Sequence, residues 1–177
     1  MSIVTLYAKT FGTPLLIALL LWPFISAFLT LPILALLYHH EHRLRLASTI
    51  GSYLSVLYVV GLLTFTQYPM PDEPDRYCAT HHLSPQLNPL EFIQDVATGG
   101  VSAVMQLLLN IVLFMPLGFL LMRFLRRNIG HTVIVRFLLS LAIELTQLSG
   151  FWGIYPCSYR QFDVDDLLTN TLGALVG

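Results

Sequence analysis

Polar and ionisable residues recur at helical spacing inside the most apolar runs of the chain's second half. Gln106 and Asn110 stand four apart. Ser140, Glu144 and Gln147 stand four and three apart, and Asp166, Asn170, Gly173 and Gly177 stand four, three and four apart. Residues three or four apart share one face of a helix, so each run carries a single polar stripe. Amides, carboxylates and a guanidinium gathered in one place can hold a polar or charged group. Carboxylates can also hold a hard cation or exchange protons, which makes Glu144, Asp163 and Asp166 the candidates for catalytic chemistry, should there be any.

Depth sharpens this reading. Asn110 lies about 13 Å inside its run, Glu144 about 8 Å inside its own, and Asn170 about 6 Å below Asp166, at the rise of an α-helix. The connection before the last run delivers Arg160, Asp163, Asp165 and Asp166. Acidic residues suit the positive end of the helix that follows. The expectation is one polar pocket near the outer membrane boundary, with Glu144, Arg160 and Asp166 close together. Asn110 and Asn170 line its floor, and Gln147 and Asp163 complete the ligand-binding set. Plainer roles compete at several positions. Asn110 and Asn170 also suit hydrogen-bonding between helices, and Ser140, Gly173 and Gly177 suit close packing. Asp165 is expected to face water or to cap its helix. Glu144 is hardest to explain by packing, because a carboxylate at that depth needs Arg160, a proton or a ligand.

The elements that position these residues must be transmembrane helices. Charged residues make up 11% of the 177-residue chain and apolar ones 55%, and the mean hydropathy is +0.71. A soluble domain carries about 25% charged residues. Apolar runs cover Phe11–Tyr38, Ala47–Gln67, Val101–Met122 and Val133–Ser149, and a further one begins near Leu167. A spanning helix needs about 20 such residues. The fold class expected is therefore all-α, a polytopic bundle of about five membrane segments forming one transmembrane domain over residues 1–177. From Leu167 to Gly177 a helix rises roughly 16 Å, about half the hydrocarbon core, so the last segment is expected to be incomplete through truncation. The first run is too long for a signal peptide. A formal net charge of −1 gives no reason to expect nucleic acid as a partner.

Arg43 and Arg45 mark the connection His39–Leu46 as cytoplasmic, and Arg123, Arg126, Arg127 and the nearby Arg136 mark Arg123–Thr132 likewise. The amino terminus, Tyr68–Gly100 and Gly150–Asp166 then lie outside. The outer loop Tyr68–Gly100 is acidic, irregular near its prolines, and expected to hold a short helix over Pro89–Ala97 with Asn88 as its cap. Cys78 and Cys157 both fall in these outer segments, where a disulfide between them is a candidate. The cluster His39, His40, Glu41 and His42 reads as a solvated turn, and His81 and His82 do not form a ligand pair alone. No metal site and no cofactor are expected.

Three blocks resemble the signature of VanZ-like membrane proteins. They are Asn110-Ile-Val-Leu-Phe114-Met-Pro116-Leu-Gly118-Phe119, Ser140-Leu-Ala-Ile-Glu144-Leu-Thr-Gln147, and the stretch from Arg160 through Asp163, Asp165, Asp166, Asn170 and Gly173 to Gly177. The resemblance implies a multi-pass protein of the bacterial cell membrane. The family's namesake is linked to low-level resistance to the glycopeptide antibiotic teicoplanin.

The reading preferred on these grounds is binding or shielding of an amphiphile at the outer leaflet. Candidates are a lipid headgroup, a lipid-linked cell-wall precursor or a lipoglycopeptide, with Arg160 set against an anionic group and membrane lipids as the remaining partners. The oligomeric state stays open. A carboxylate- or metal-dependent hydrolase or transferase is the alternative, disfavoured because no nucleophile or ligand triad stands out. A small transporter is the third reading, disfavoured by the lack of a duplicated half.

Overall fold

The structure, a computed structural model, describes residues 12–125 and 129–177. Phe11, Arg126 and Arg127, used in the sequence reading, lie outside the described residues, as does the side chain of Arg123. Among the described residues the regular structure is helical, with one isolated parallel bridge between Gln86 and Asp163. Thr13–His40, Leu46–Gln67 and Ala103–Met122 are long and apolar enough to cross a membrane. The chain divides into two compact units, Met1–Pro69 and Met70–Gly177.

In the first unit, α1 (Thr13–Glu41) and α2 (Leu46–Gln67) pack along each other. Pro23 and Pro32 sit inside α1, a placement that bundled membrane helices accept. Ala18, Val56 and Val60 form the contact, flanked by Trp22, Ile25 and Ile33. Ser26 and Thr30 satisfy each other's buried hydroxyls at 2.7 Å. Leu20, Phe24 and Phe28 stay exposed, as suits side chains that face hydrocarbon rather than water.

The second unit holds α3 (Pro74–Thr80), α4 (Glu91–Gly99), α5 (Val101–Leu125), α6 (Ile129–Leu148) and α7 (Val164–Val176). Glycine sets how α5 and α7 cross. A Cβ on Gly173 would overlap the backbone of Ile111, one on Gly177 that of Met115, and one on Gly118 that of Ala174. Backbones this close need residues without side chains, the usual means of tight helix association in a membrane. The packing role read for Gly173 and Gly177 is thus a backbone contact. Phe114, Leu117, Ile143, Leu167 and Ala174 are the buried apolar residues of these helices.

Several boundaries differ from the sequence expectation. α7 begins at Val164 rather than near Leu167, because Asp163 caps it by accepting from the Asp165 N–H at 2.7 Å. α4 runs from Glu91 with Leu90 at its cap position. Asn88 instead lies in the preceding turn, accepting from the Leu90 N–H and donating to Glu91 at 2.9 Å. The Pro-rich start of the loop is not wholly irregular, since Pro74 opens α3, a first-turn position where its missing N–H costs nothing. After α6, Gly150 to Gly153 all take positive φ. Gly150 is required there, because a Cβ would run into the carbonyls of Tyr155 and Cys157.

Candidate functional site

The site is built at one end of the second unit, where the start of α5, the end of α6 and the start of α7 meet. α6 contributes a polar stripe: Arg136, Ser140, Glu144 and Gln147 are all buried. One Glu144 oxygen accepts the Asp163 N–H at 3.2 Å, joining α6 to the cap of α7. Arg160, Asp163 and Asp166 all lie within electrostatic range of Glu144. From α5, Asn110 Nδ2 donates to Asp166 Oδ1 at 2.6 Å, and Gln106 reaches the same carboxylate. Glu144, Arg160, Asp163, Asp166 and Asn110 are therefore brought together. Asn170 and Ser140 are buried, and Asn170 Oδ1 and Ser140 Oγ have no hydrogen-bond partner. Gln147 is buried too, and its backbone carbonyl accepts from Ser158.

Asp165 departs from the sequence expectation. It neither faces water nor caps its own helix; it is only 4% exposed. Its Oδ2 accepts from the backbone N–H of Phe92 at 2.8 Å and from Gln86 Nε2 at 3.1 Å. Phe92 lies in the first turn of α4, whose N–H groups have no partner within the helix and attract negative charge. Asp165 thus caps α4 from the far side of the loop. Gln86 Nε2 also reaches Asp163 Oδ1 at 3.2 Å, while its backbone N–H donates to Phe162 O at 2.8 Å and its carbonyl accepts from Val164. Arg136, counted with the basic loop on sequence grounds, is 5% exposed, and its guanidinium donates to the Gly118 carbonyl at 3.1 Å.

The acidic loop is fastened to this frame along its length. Cys78 and Cys157 are joined by a disulfide with Cα atoms 5.6 Å apart. Tyr77 donates to the Tyr159 carbonyl at 3.2 Å, and Gln161 to that of Ser84 at 3.3 Å. Burial pushes the Tyr159 phenol up to about 12, so it stays protonated. Between the loop and the helices lies a cleft of about 30 Å³. It is lined by the polar side chains of Asp95, Gln106, Asp163, Asp165 and Asp166 and by the apolar ones of Phe92, Ala103 and Leu107. Burial is also the main cause that raises Asp163 above the ordinary aspartate range, with neighbouring carboxylates adding to it. Among the described residues no three histidine, cysteine or carboxylate side chains converge to hold a metal ion.

All of this geometry falls inside one matched stretch: the family model described as VanZ/LLP1 covers residues 55–177. The chain belongs to the VanZ/LLP1 family. Neither a curated protein nor a solved structure matches the chain. The VanZ match takes in the end of α2, the acidic loop and α3 to α7, whereas α1 lies outside it. The candidate site of this VanZ-family membrane protein also draws in residues that the sequence reading did not assign to it, namely Gln86, Phe92, Asp95 and Asp165. Gln86 and Phe92 carry no sequence signal, because their contribution is a side-chain amide and a backbone N–H brought in by the loop. The acidic face of α4 was the visible clue for Asp95.

Proposed function

We propose that this VanZ-family protein binds the polar end of an amphiphilic cell-envelope molecule in the cleft between the acidic loop and α5 and α7. The observation that carries the reading is the cleft's mixed polar and apolar lining. Carboxylates and the Gln106 amide line it together with Phe92, Ala103 and Leu107, and α5, which carries Ala103, Gln106 and Leu107, also exposes Met105, Leu108 and Leu109. A ligand with a polar head and an apolar tail matches such a mixed lining, the tail lying along an exposed apolar helix surface already suited to lipid.

In this reading the acidic loop and Gly150–Asp166 face outward across the bacterial cell membrane, and the arginine-rich connections face the cytoplasm. The ligand classes are a lipid headgroup, a lipid-linked cell-wall precursor or a lipoglycopeptide. Shielding such a molecule would contribute to glycopeptide resistance. Gln147 and Asn170 are buried polar residues outside the cleft's lining, and Glu144 accepts the Asp163 backbone N–H.

Native mass spectrometry of protein extracted in a gentle detergent tests this. A single amphiphile class should co-purify with the wild type and be depleted in Asp166→Asn. An unselective lipid mixture, unchanged by the substitution, would contradict the reading.

A further inference from the structure

We propose that the cleft selects a primary ammonium group at the polar end of its ligand. This rests on the reading that the cleft takes an amphiphile's head, and it names the chemistry of that head.

The lining is anionic: Asp95, Asp163, Asp165 and Asp166 all contribute to it. Arg160 is within electrostatic range of Asp166 and of Glu144 behind it, which leaves carboxylates in excess at the cleft. Asp165 supplies an independent sign of a missing donor. It lines the cleft, it is 4% exposed, its Oδ2 is doubly occupied, and its Oδ1 is buried with no hydrogen-bond partner. A buried acceptor left unsatisfied is destabilising, and native structures rarely leave one.

Size and shape narrow the cation. A volume of about 30 Å³ holds only one or two water-sized groups. An ammonium head fits that space and brings three N–H donors. A calcium ion would need six or more oxygen ligands, and the described carboxylates do not converge in that way. Phe92 adds an aromatic surface on which a cation is favoured, and Leu107 lines the path of an alkyl stem. Because burial holds Asp163 above its ordinary range, an arriving cation would favour its ionised form, so binding should weaken as the pH falls.

The test uses the full chain purified in dodecyl maltoside, with thermal unfolding followed as each probe is titrated. Dodecylamine should raise the melting temperature saturably and bind at least tenfold more tightly than dodecyl phosphate, with no saturable effect of dodecanol. Asp95→Asn, at an exposed residue that does not threaten folding, should weaken dodecylamine at least fivefold, and Asp165→Asn should do the same if it folds. Equal binding by wild type and Asp95→Asn would overturn the proposal. So would a saturable response to calcium chloride without one to dodecylamine. Butylamine binding as tightly as dodecylamine would keep the ammonium site and remove the amphiphile reading. Dodecyl phosphate binding best, and lost in Arg160→Ala, would keep the amphiphile reading and remove the ammonium site. A response to no probe removes both.

Discussion

Asn110 on α5 donates a 2.6 Å hydrogen bond to Asp166 in the first turn of α7, across 56 residues of sequence. The bond sits where the two helices are drawn together by glycine, so geometry and charge are fixed by the same crossing. Hydrogen bonds to charged groups contribute about 1.5–3 kcal/mol, and a carboxylate stripped of its donor costs more than one removed together with it. Asn110→Leu should therefore destabilise the protein by about 1.5–3 kcal/mol. Asn110→Leu with Asp166→Leu should cost less than the sum of the two single changes, by at least about 0.5 kcal/mol. Reversible unfolding in mixed micelles measures both, and strict additivity would mean that the bond has no energetic role.

Gly173 meets the Ile111 backbone directly, so even a methyl group has no room there. Gly173→Ala should cost about 1–3 kcal/mol through overpacking. Gly51→Ala in α2 is the matched control, because a Cβ there meets nothing within 4 Å. It should be neutral or stabilising by up to about 1 kcal/mol, since alanine favours a helix over glycine. Equal effects at both positions would mean that α5 and α7 do not approach as closely as the structure has them.

Asp163 is raised above its ordinary value by burial. An acid held higher in the folded state binds its proton more tightly there. Its stabilising contribution is present below the unfolded value and is lost as pH rises through the folded one. Asp163→Asn keeps a competent helix cap, as asparagine caps about as well as aspartate, and removes the titration. The variant should gain stability relative to wild type over the range in which pH rises above the ordinary aspartate value of about 4. Melting curves across that range should diverge, and parallel curves would contradict the assignment.

Much of this arrangement is legible in the sequence, for a physical reason. The bilayer penalises each polar side chain, so Asn110, Glu144 and Asp166 stand out against apolar neighbours, and helical spacing shows which face they share. Asp165 was misread because an acidic residue in a first turn is usually a local cap. Its true partner, the Phe92 N–H, lies 73 residues away on a short loop helix. Arg136 sits a few residues beyond a basic loop, and only the contact with the Gly118 carbonyl shows that it points inward. The Gln86 bridge to Asp163 has no alternating pattern to announce it, since it is a single isolated pairing in a Pro-rich segment.

The Cys78–Cys157 disulfide closes a loop with a sequence separation of 79, holding α3 beside the segment that leads to α7. Cross-links of this kind typically contribute about 2–4 kcal/mol. Cys78→Ser and Cys157→Ser should each lower stability as much as the double substitution, because either one removes the whole bond. Mass mapping of protein from intact membranes under non-reducing conditions should recover the bridged peptide. Free thiols at both positions would contradict it and would also count against an outward-facing loop.

The central claim is that the cleft holds a specific amphiphile, and photo-crosslinking from its wall tests that most directly. Leu107 lines the cleft, and its neighbour Leu108 is 50% exposed on the surface of α5. A benzophenone amino acid placed at each position in turn, irradiated in living cells, samples the two environments one residue apart. The account expects one dominant amphiphile adduct from position 107 and a mixture that mirrors bulk membrane lipid from position 108. The same mixture at both positions would contradict it.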